Sequence, residues 1–129
     1  MKKYYITMFS AMILLFALGI PLVAQAETEA YYQEKICAKY DARMEVINED
    51  RTRTDCLSDE NGSHLSIEVD FAKKWYECLT QAMYYGMLYN NQAACVLIVE
   101  KDTDMRHVDR ARQLINHNKL PVWVDAFRE

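Results

Sequence analysis

The sequence predicts a single α/β domain in which helices pack on a mixed sheet. Three observations carry that expectation. From residue 27 onward the hydrophobic period changes in the order α-β-β-β-α-β-α-β. The continuous apolar run Ala93 to Val99 lies between two helical patterns, as a buried strand does when helical crossovers cover it. A strand–helix–strand–helix–strand ending then favours helices laid against a shared sheet.

Glu27 to about Tyr40 places Tyr31, Tyr32, Ile36 and Cys37 among charges, which reads as a first helix. Ala42 to Asn48 and Thr52 to Leu57 read as short strands around the polar turn Asn48-Glu49-Asp50. Asp59-Glu60-Asn61-Gly62 is a stronger turn signal. It leads into His64 to Phe71, where polar and apolar residues alternate. Ala72 to Tyr89 has helical periodicity, no proline and one late glycine. Ala93 to Val99 follows as a strand. Asp102 or Thr103 caps a helix to about Asn116, with Met105, Val108, Ala111 and Leu114-Ile115 on one side. Leu120 to Phe127 closes the chain as a strand. Neither an internal repeat nor a linker divides it.

Composition narrows the function classes. The 129 residues are 51% hydrophobic and 26% charged, with three glycines and two prolines, so neither disorder nor a low-complexity design fits. Met1-Lys2-Lys3, the apolar stretch Ile6 to Val23 and the small-residue site Ala24-Gln25-Ala26 have the layout of a secretory signal peptide over residues 1–26. Pro21 breaks the apolar helix before the site, which favours cleavage over an uncleaved anchor. The expectation is an exported domain of residues 27–129, periplasmic or secreted, with no membrane attachment after cleavage. Formal charge is −4 for the whole chain. Without Lys2 and Lys3, 13 basic residues face 19 acidic ones. That balance disfavours bulk electrostatic attachment to nucleic acid or anionic membranes.

Cys37, Cys56, Cys78 and Cys95 match no zinc-ligand spacing. In an exported chain they are disulfide candidates, and four cysteines allow three pairings. His64, His107 and His117 fall on different elements, and neither a Ser-His-Asp grouping nor a glycine-rich phosphate loop is visible. The tyrosines, Trp75 and Trp123 read as core and edge packing rather than base-stacking platforms.

The third strand carries the chemistry. Alternation puts Ser66, Glu68 and Asp70 on one face, and Arg53, Asp55 and Leu57 share a face of the preceding strand. If the two pair through the Asp59–Gly62 turn, Asp55 approaches Glu68, a carboxylate pair of the kind Mg²⁺ takes. A solvated face is the plainer reading. On the next helix Lys73, Glu77 and Gln81 are spaced i, i+4, i+8, with Tyr84 or Tyr85 one turn on, as one polar stripe.

Asp55, Ile67-Glu68-Val69-Asp70, Lys73 and Gln81-x-x-Tyr84-Tyr85 resemble the core of the PD-(D/E)xK nuclease superfamily. Its restriction-endonuclease-like fold has an α-β-β-β-α-β core, here extended by a C-terminal helix and strand. The stretches Arg51 to Leu57 and Ile67 to Trp75, with Glu77 and Gln81, look most like small uncharacterised bacterial members, and the likeness spans about Tyr31 to Val99. The resemblance implies a metal-dependent phosphodiesterase acting on nucleic acid. Asp55 and Glu68 would hold Mg²⁺ or Mn²⁺ and Lys73 would serve as the catalytic ammonium. Asp70, Glu77, Gln81 and Tyr84 or Tyr85 would support them, and Glu34 would match an acidic residue that some members carry on the first helix. Some branches similar to the RecB nuclease domain carry Gln-x-x-x-Tyr on the helix after the third strand, where Gln81 and Tyr84 or Tyr85 stand. The departure is Asp70, where the motif has lysine. The alternative is an exported binding or scaffold protein that keeps the fold with a degenerate site. A basic rim for nucleic acid would have to come from Arg51, Arg53, Lys73 and Lys74. Since Cys56 adjoins Asp55 and Cys37 lies on the first helix, while Cys78 and Cys95 lie on consecutive elements, the expected bonds are Cys37–Cys56 and Cys78–Cys95.

Overall fold

The computed structural model describes residues 27–59 and 64–129. The leader, and Glu60, Asn61 and Gly62 of the expected turn, lie outside the described residues. Helix α1 (Glu29–Lys39) is followed by strands β1 (Arg43–Ile47), β2 (Arg53–Ser58) and β3 (Leu65–Phe71). A 3-10 turn, Ala72–Lys74, opens helix α2 (Trp75–Tyr89). Strand β4 (Gln92–Ile98), a second 3-10 turn at Asp102–Asp104, helix α3 (Met105–Asn118) and β5 (Val122–Phe127) complete the order. The eight elements come in the order that periodicity predicts, with ends shifted by a few residues.

The five strands form one sheet in sequence order. The β1–β2 and β2–β3 pairs are antiparallel, whereas β3–β4 and β4–β5 are parallel, so the sheet is mixed. Antiparallel neighbours need only tight turns, and the parallel pairs need crossovers, which α2 and α3 supply.

Each face of the sheet has its own apolar layer. Ile36 and Cys37 of α1 pack on Cys56, Ile67, Val69, Ala94, Val96 and Ile98. On the other face α2 and α3 bring Cys78, Leu79, Ala82, Val108 and Ala111 onto Ala93, Cys95, Leu97 and Val99. β4 is covered on both sides, which is why its sequence is an unbroken apolar run. α2 approaches β4 closely at Gly86, where an added Cβ would lie 3.0 Å from Ala93 Cβ and 3.1 Å from the Asn91 carbonyl. The helix then stops at Asn90, whose φ of 52° is the left-handed conformation that asparagine tolerates.

Disulfides Cys37–Cys56 and Cys78–Cys95 join α1 to β2 and α2 to β4, with Cα separations of 5.3 and 5.7 Å. Two disulfides in a domain this small are compatible with an exported protein. Among the described residues no helix is long and apolar enough to cross a membrane.

One expectation fails at β3. Its alternation suggested a face open to water, yet Ser66, Glu68 and Asp70 are buried along with Ile67 and Val69. The strand lies inside the sheet, and α2 roofs its polar face.

A carboxylate cleft where the sheet splits

Strands β2 and β3 are hydrogen-bonded over a short stretch only. Register pairs join Cys56 to Ile67, Leu57 to Ser66 and Ser58 to Leu65, and the ladder then ends. Beyond it, side chains take over the work of the backbone. The Asp55 N–H donates to Glu68 Oε1 at 3.2 Å, and the Val69 N–H donates to Asp55 Oδ2 at 2.9 Å. Each carboxylate is therefore fixed by a backbone donor of the opposite strand.

The other edge of β2 is interrupted at the same place. The β1–β2 register runs Met44↔Cys56 and then Val46↔Thr54, passing over Glu45 opposite Asp55. Glu45 has a φ of 54°, which a residue with a Cβ adopts only at a cost. Gln33 of α1 fills the gap. Its Nε2 donates to the Asp55 carbonyl at 3.2 Å and to Glu45 Oε1 at 2.8 Å. Glu45 also pairs with Arg53 at 2.6 Å. Asp55 thus has both backbone groups satisfied by side chains, and a break in two ladders frees its carboxylate to face the opening. Replacing Gln33, which is buried, by alanine should cost about 1–3 kcal/mol, since the Asp55 carbonyl and the Glu45 carboxylate each lose a donor. Chemical denaturation of Gln33→Ala measures this; a midpoint equal to that of the wild type would show that the bracket contributes nothing.

The opening is a cleft of about 400 Å³ lined by Glu29, Thr52, Arg53, Asp55, Glu68, Val69, Asp70, Lys74, Glu77, Gln81 and Tyr85. Asp55, Glu68, Asp70, Glu77, Gln81 and Tyr85, all singled out from the sequence, are brought together there. Three other residues singled out from the sequence lie away from it. Lys73 is exposed and does not line the cleft; Lys74 does, with its Nζ 3.5 Å from Asp70 Oδ1. The cause is the 3-10 turn. The stripe Glu77, Gln81, Tyr85 follows α-helical spacing, but in 3-10 geometry residues i and i+3 eclipse, so the side chain in line with Glu77 is Lys74. Tyr84 points away and donates its hydroxyl to Asp50. Tyr85 is the tyrosine of the site, and its hydroxyl meets Thr52. The acid that α1 contributes is Glu29 at its first turn, not the exposed Glu34.

Electrostatics reflect five carboxyl groups crowded beside two cations. Burial first, and then the Asp55 charge, push the Glu68 carboxyl up to about 9. Glu29 rises to about 7 through burial and then Asp70. Asp55 and Asp70 are raised as well, chiefly by burial. Asp55 and Glu68 lie within hydrogen-bonding distance of one another, as do Asp70 and Glu29, so each pair can share a proton.

Among the described residues no three His, Cys, Asp or Glu side chains form a ready cage for a metal ion. Mg²⁺ is commonly held by one or two carboxylates, with water and substrate oxygens completing its shell. The Asp55–Glu68 pair fits that demand: hard oxygen donors, fixed by backbone N–H groups, whose raised pKa values a bound cation would lower.

The rim of the cleft differs from the one the sequence suggested. Arg53 and Lys74 are in the lining, each engaged by a carboxylate, Glu45 and Asp70 respectively. Arg51 is exposed on the β1–β2 turn with a φ of 71° and does not line the cleft. Comparison with protein-family models, with curated proteins and with solved structures finds no match to this chain.

Proposed function

We propose that this chain is an exported, cation-dependent phosphodiesterase of the PD-(D/E)xK type, with a restriction-endonuclease-like core and its active site in the carboxylate cleft. One observation carries the reading: Asp55 and Glu68, on neighbouring antiparallel strands, face one cleft whose far wall is Glu77, Gln81 and Tyr85 of the following helix. The element order α-β-β-β-α-β and the i, i+4 pair Gln81 and Tyr85 support it, being what the resemblance implies. The two disulfides support export to the periplasm or beyond.

In this reading Asp55 and Glu68 hold Mg²⁺ or Mn²⁺. The cation, when bound, polarises a phosphodiester oxygen and lowers the pKa of a bound water. The chain's own contributions are positional. The Val69 and Asp55 N–H groups keep the two carboxylates converging. Lys74 occupies the role that the motif gives to lysine two residues after the glutamate: Asp70, standing where that lysine would be, holds the Lys74 ammonium at the cleft instead. From there the ammonium stabilises charge developing on the phosphoryl group. Gln81 and Tyr85 offer an amide and a hydroxyl at the opposite wall.

A second reading rests on the same Asp70–Lys74 pair. An ammonium already engaged by a carboxylate, in a lining where acids outnumber bases, suits a site that binds a cation without hydrolysis. Protein exported from the full-length chain, incubated with plasmid and Mn²⁺ beside Asp55→Ala/Glu68→Ala and Lys74→Met variants, separates the two. The hydrolase reading expects cleavage by the wild type only, with at least ~100-fold loss in both variants. Cation binding by calorimetry that Lys74→Met retains, with no cleavage by any form, would favour the second.

A further inference from the structure

The cation that the cleft does not use lies on the other side of the same turn. Consecutive side chains in a 3-10 turn point about 120° apart. While Lys74 reaches Asp70, Lys73 projects toward α3, which packs on this turn. There it meets a cluster. Arg106 Nε lies 3.5 Å from His107 Nε2, and burial first, then the charges of Arg106, Arg110 and, more weakly, Lys73 hold the His107 pKa below the usual histidine value, with Asp104 opposing them. His107 Nδ1 is buried without a hydrogen-bond partner among the described residues.

One feature sets this cluster apart. Seven ion pairs are present among the described residues, and none involves Lys73, Arg106 or Arg110. In an acidic chain, three cations without an ion pair at one place are a local reversal of sign. Arg106 and His107 stand in the first turn of α3, directly after Asp102 and Asp104 of the 3-10 turn that opens it. Asp104 accepts the Lys101 N–H while its charge also acts on the His107 ring, and Asp102 pairs with Arg128. Three cations left without an ion pair at one place suit an anionic partner that arrives from outside.

We propose that Lys73, Arg106 and Arg110 form a phosphate-binding shelf that holds the backbone of a nucleic-acid strand beside the carboxylate cleft. The proposal rests on the phosphodiesterase reading for its choice of partner, and it resolves a conflict within that reading: the cleft is too acidic to draw in a polyanion by itself. The Ala72–Lys74 turn carries one lysine to each side, so a strand lying across it has one phosphate at the shelf and another at the cleft.

Binding separates the shelf from the chemistry. A labelled single strand of about 20 nucleotides is titrated at about 50 mM salt and again at about 200 mM, with anisotropy as the readout. The proteins are the wild type, Lys73→Gln/Arg106→Gln/Arg110→Gln, and a control losing the same three charges from the opposite face, Lys35→Gln/Lys39→Gln/Arg43→Gln. Each is also prepared in the Asp55→Ala/Glu68→Ala background, where no cleavage intervenes. The shelf predicts at least ~10-fold weaker binding and a salt slope smaller by about 2 in the first triple variant, with a change under ~3-fold in the control. Equal affinity in the two triple variants, or no measurable binding by the wild type, would overturn it. Shelf-dependent binding without cleavage would leave the shelf standing and count against the hydrolase.

Discussion

A Glu68→Gln variant, freed of divalent cations, is expected to be more stable than the wild type at pH 8 and no more stable at pH 4.5. Glu68 is buried beside Asp55, and its carboxyl is pushed up to about 9. A folded-state pKa above the unfolded value means that folding favours the protonated form. The protonated carboxyl stabilises fully below about pH 4.5, and that contribution is lost as pH rises toward 9. Glutamine keeps an oxygen for the Asp55 N–H and supplies an amide donor to the Asp55 carboxylate, so it mimics the neutral acid at every pH. Because Asp55 and Glu68 share a proton, the pair titrates together. The gain at pH 8 is then on the order of 2 kcal/mol. For a domain of this size that is roughly 10 °C in Tm. Added Mg²⁺ should raise the wild-type Tm more than the variant's, since it supplies the charge that the proton otherwise provides. Melting curves from pH 4.5 to 9, with and without Mg²⁺, test the pair; parallel pH profiles for the two proteins would remove Glu68 as the origin of the acid preference.

The elements were readable because each one's period is clean, and the register that brings Asp55 opposite Glu68 follows from antiparallel pairing of two short strands. What lay beyond the sequence is where pairing stops. No local signal shows that both ladders of β2 break at Asp55, because the break depends on Glu45 taking a left-handed backbone and on Gln33 arriving from another element. Gln33 did leave a trace: with Ile36 and Cys37 it forms the buried i, i+3, i+4 stripe of α1, so a polar residue stood on a face meant for the core. The exchange of Lys73 for Lys74 is a matter of pitch. An α-helical ruler extended back from Glu77 lands on residue 73, and three residues of 3-10 turn move it to 74. The shelf on α3 joins residues more than thirty positions apart, which only the folding of α3 against that turn brings together.

Loss of the Cys78–Cys95 bond should be the most damaging covalent change. Each disulfide closes a short loop, 17 residues apart for Cys78–Cys95 and 19 for Cys37–Cys56, so constraint of the unfolded chain stabilises by about 3 kcal/mol apiece. Their native surroundings differ. Cys78 and Cys95 are wholly buried within the larger apolar layer, where α2, α3 and the sheet meet. Cys95 is also the β4 neighbour of Glu68 in the parallel register. A Cys78→Ala/Cys95→Ala chain loses the cross-link and leaves a cavity at that junction, for about 4–5 kcal/mol in all. Because α2 carries Glu77, Gln81 and Tyr85, the same change loosens the far wall of the cleft, so Mg²⁺ should stabilise this variant less than it stabilises Cys37→Ala/Cys56→Ala. A domain of about 100 residues holds only about 5–15 kcal/mol in total. Reducing both bonds therefore brings it close to unfolding at physiological temperature. Thermal melts of the two double variants and of the dithiothreitol-treated wild type rank these effects. A reduced protein melting within a few degrees of the oxidised one would mean that the apolar layers, not the cross-links, hold the helices to the sheet.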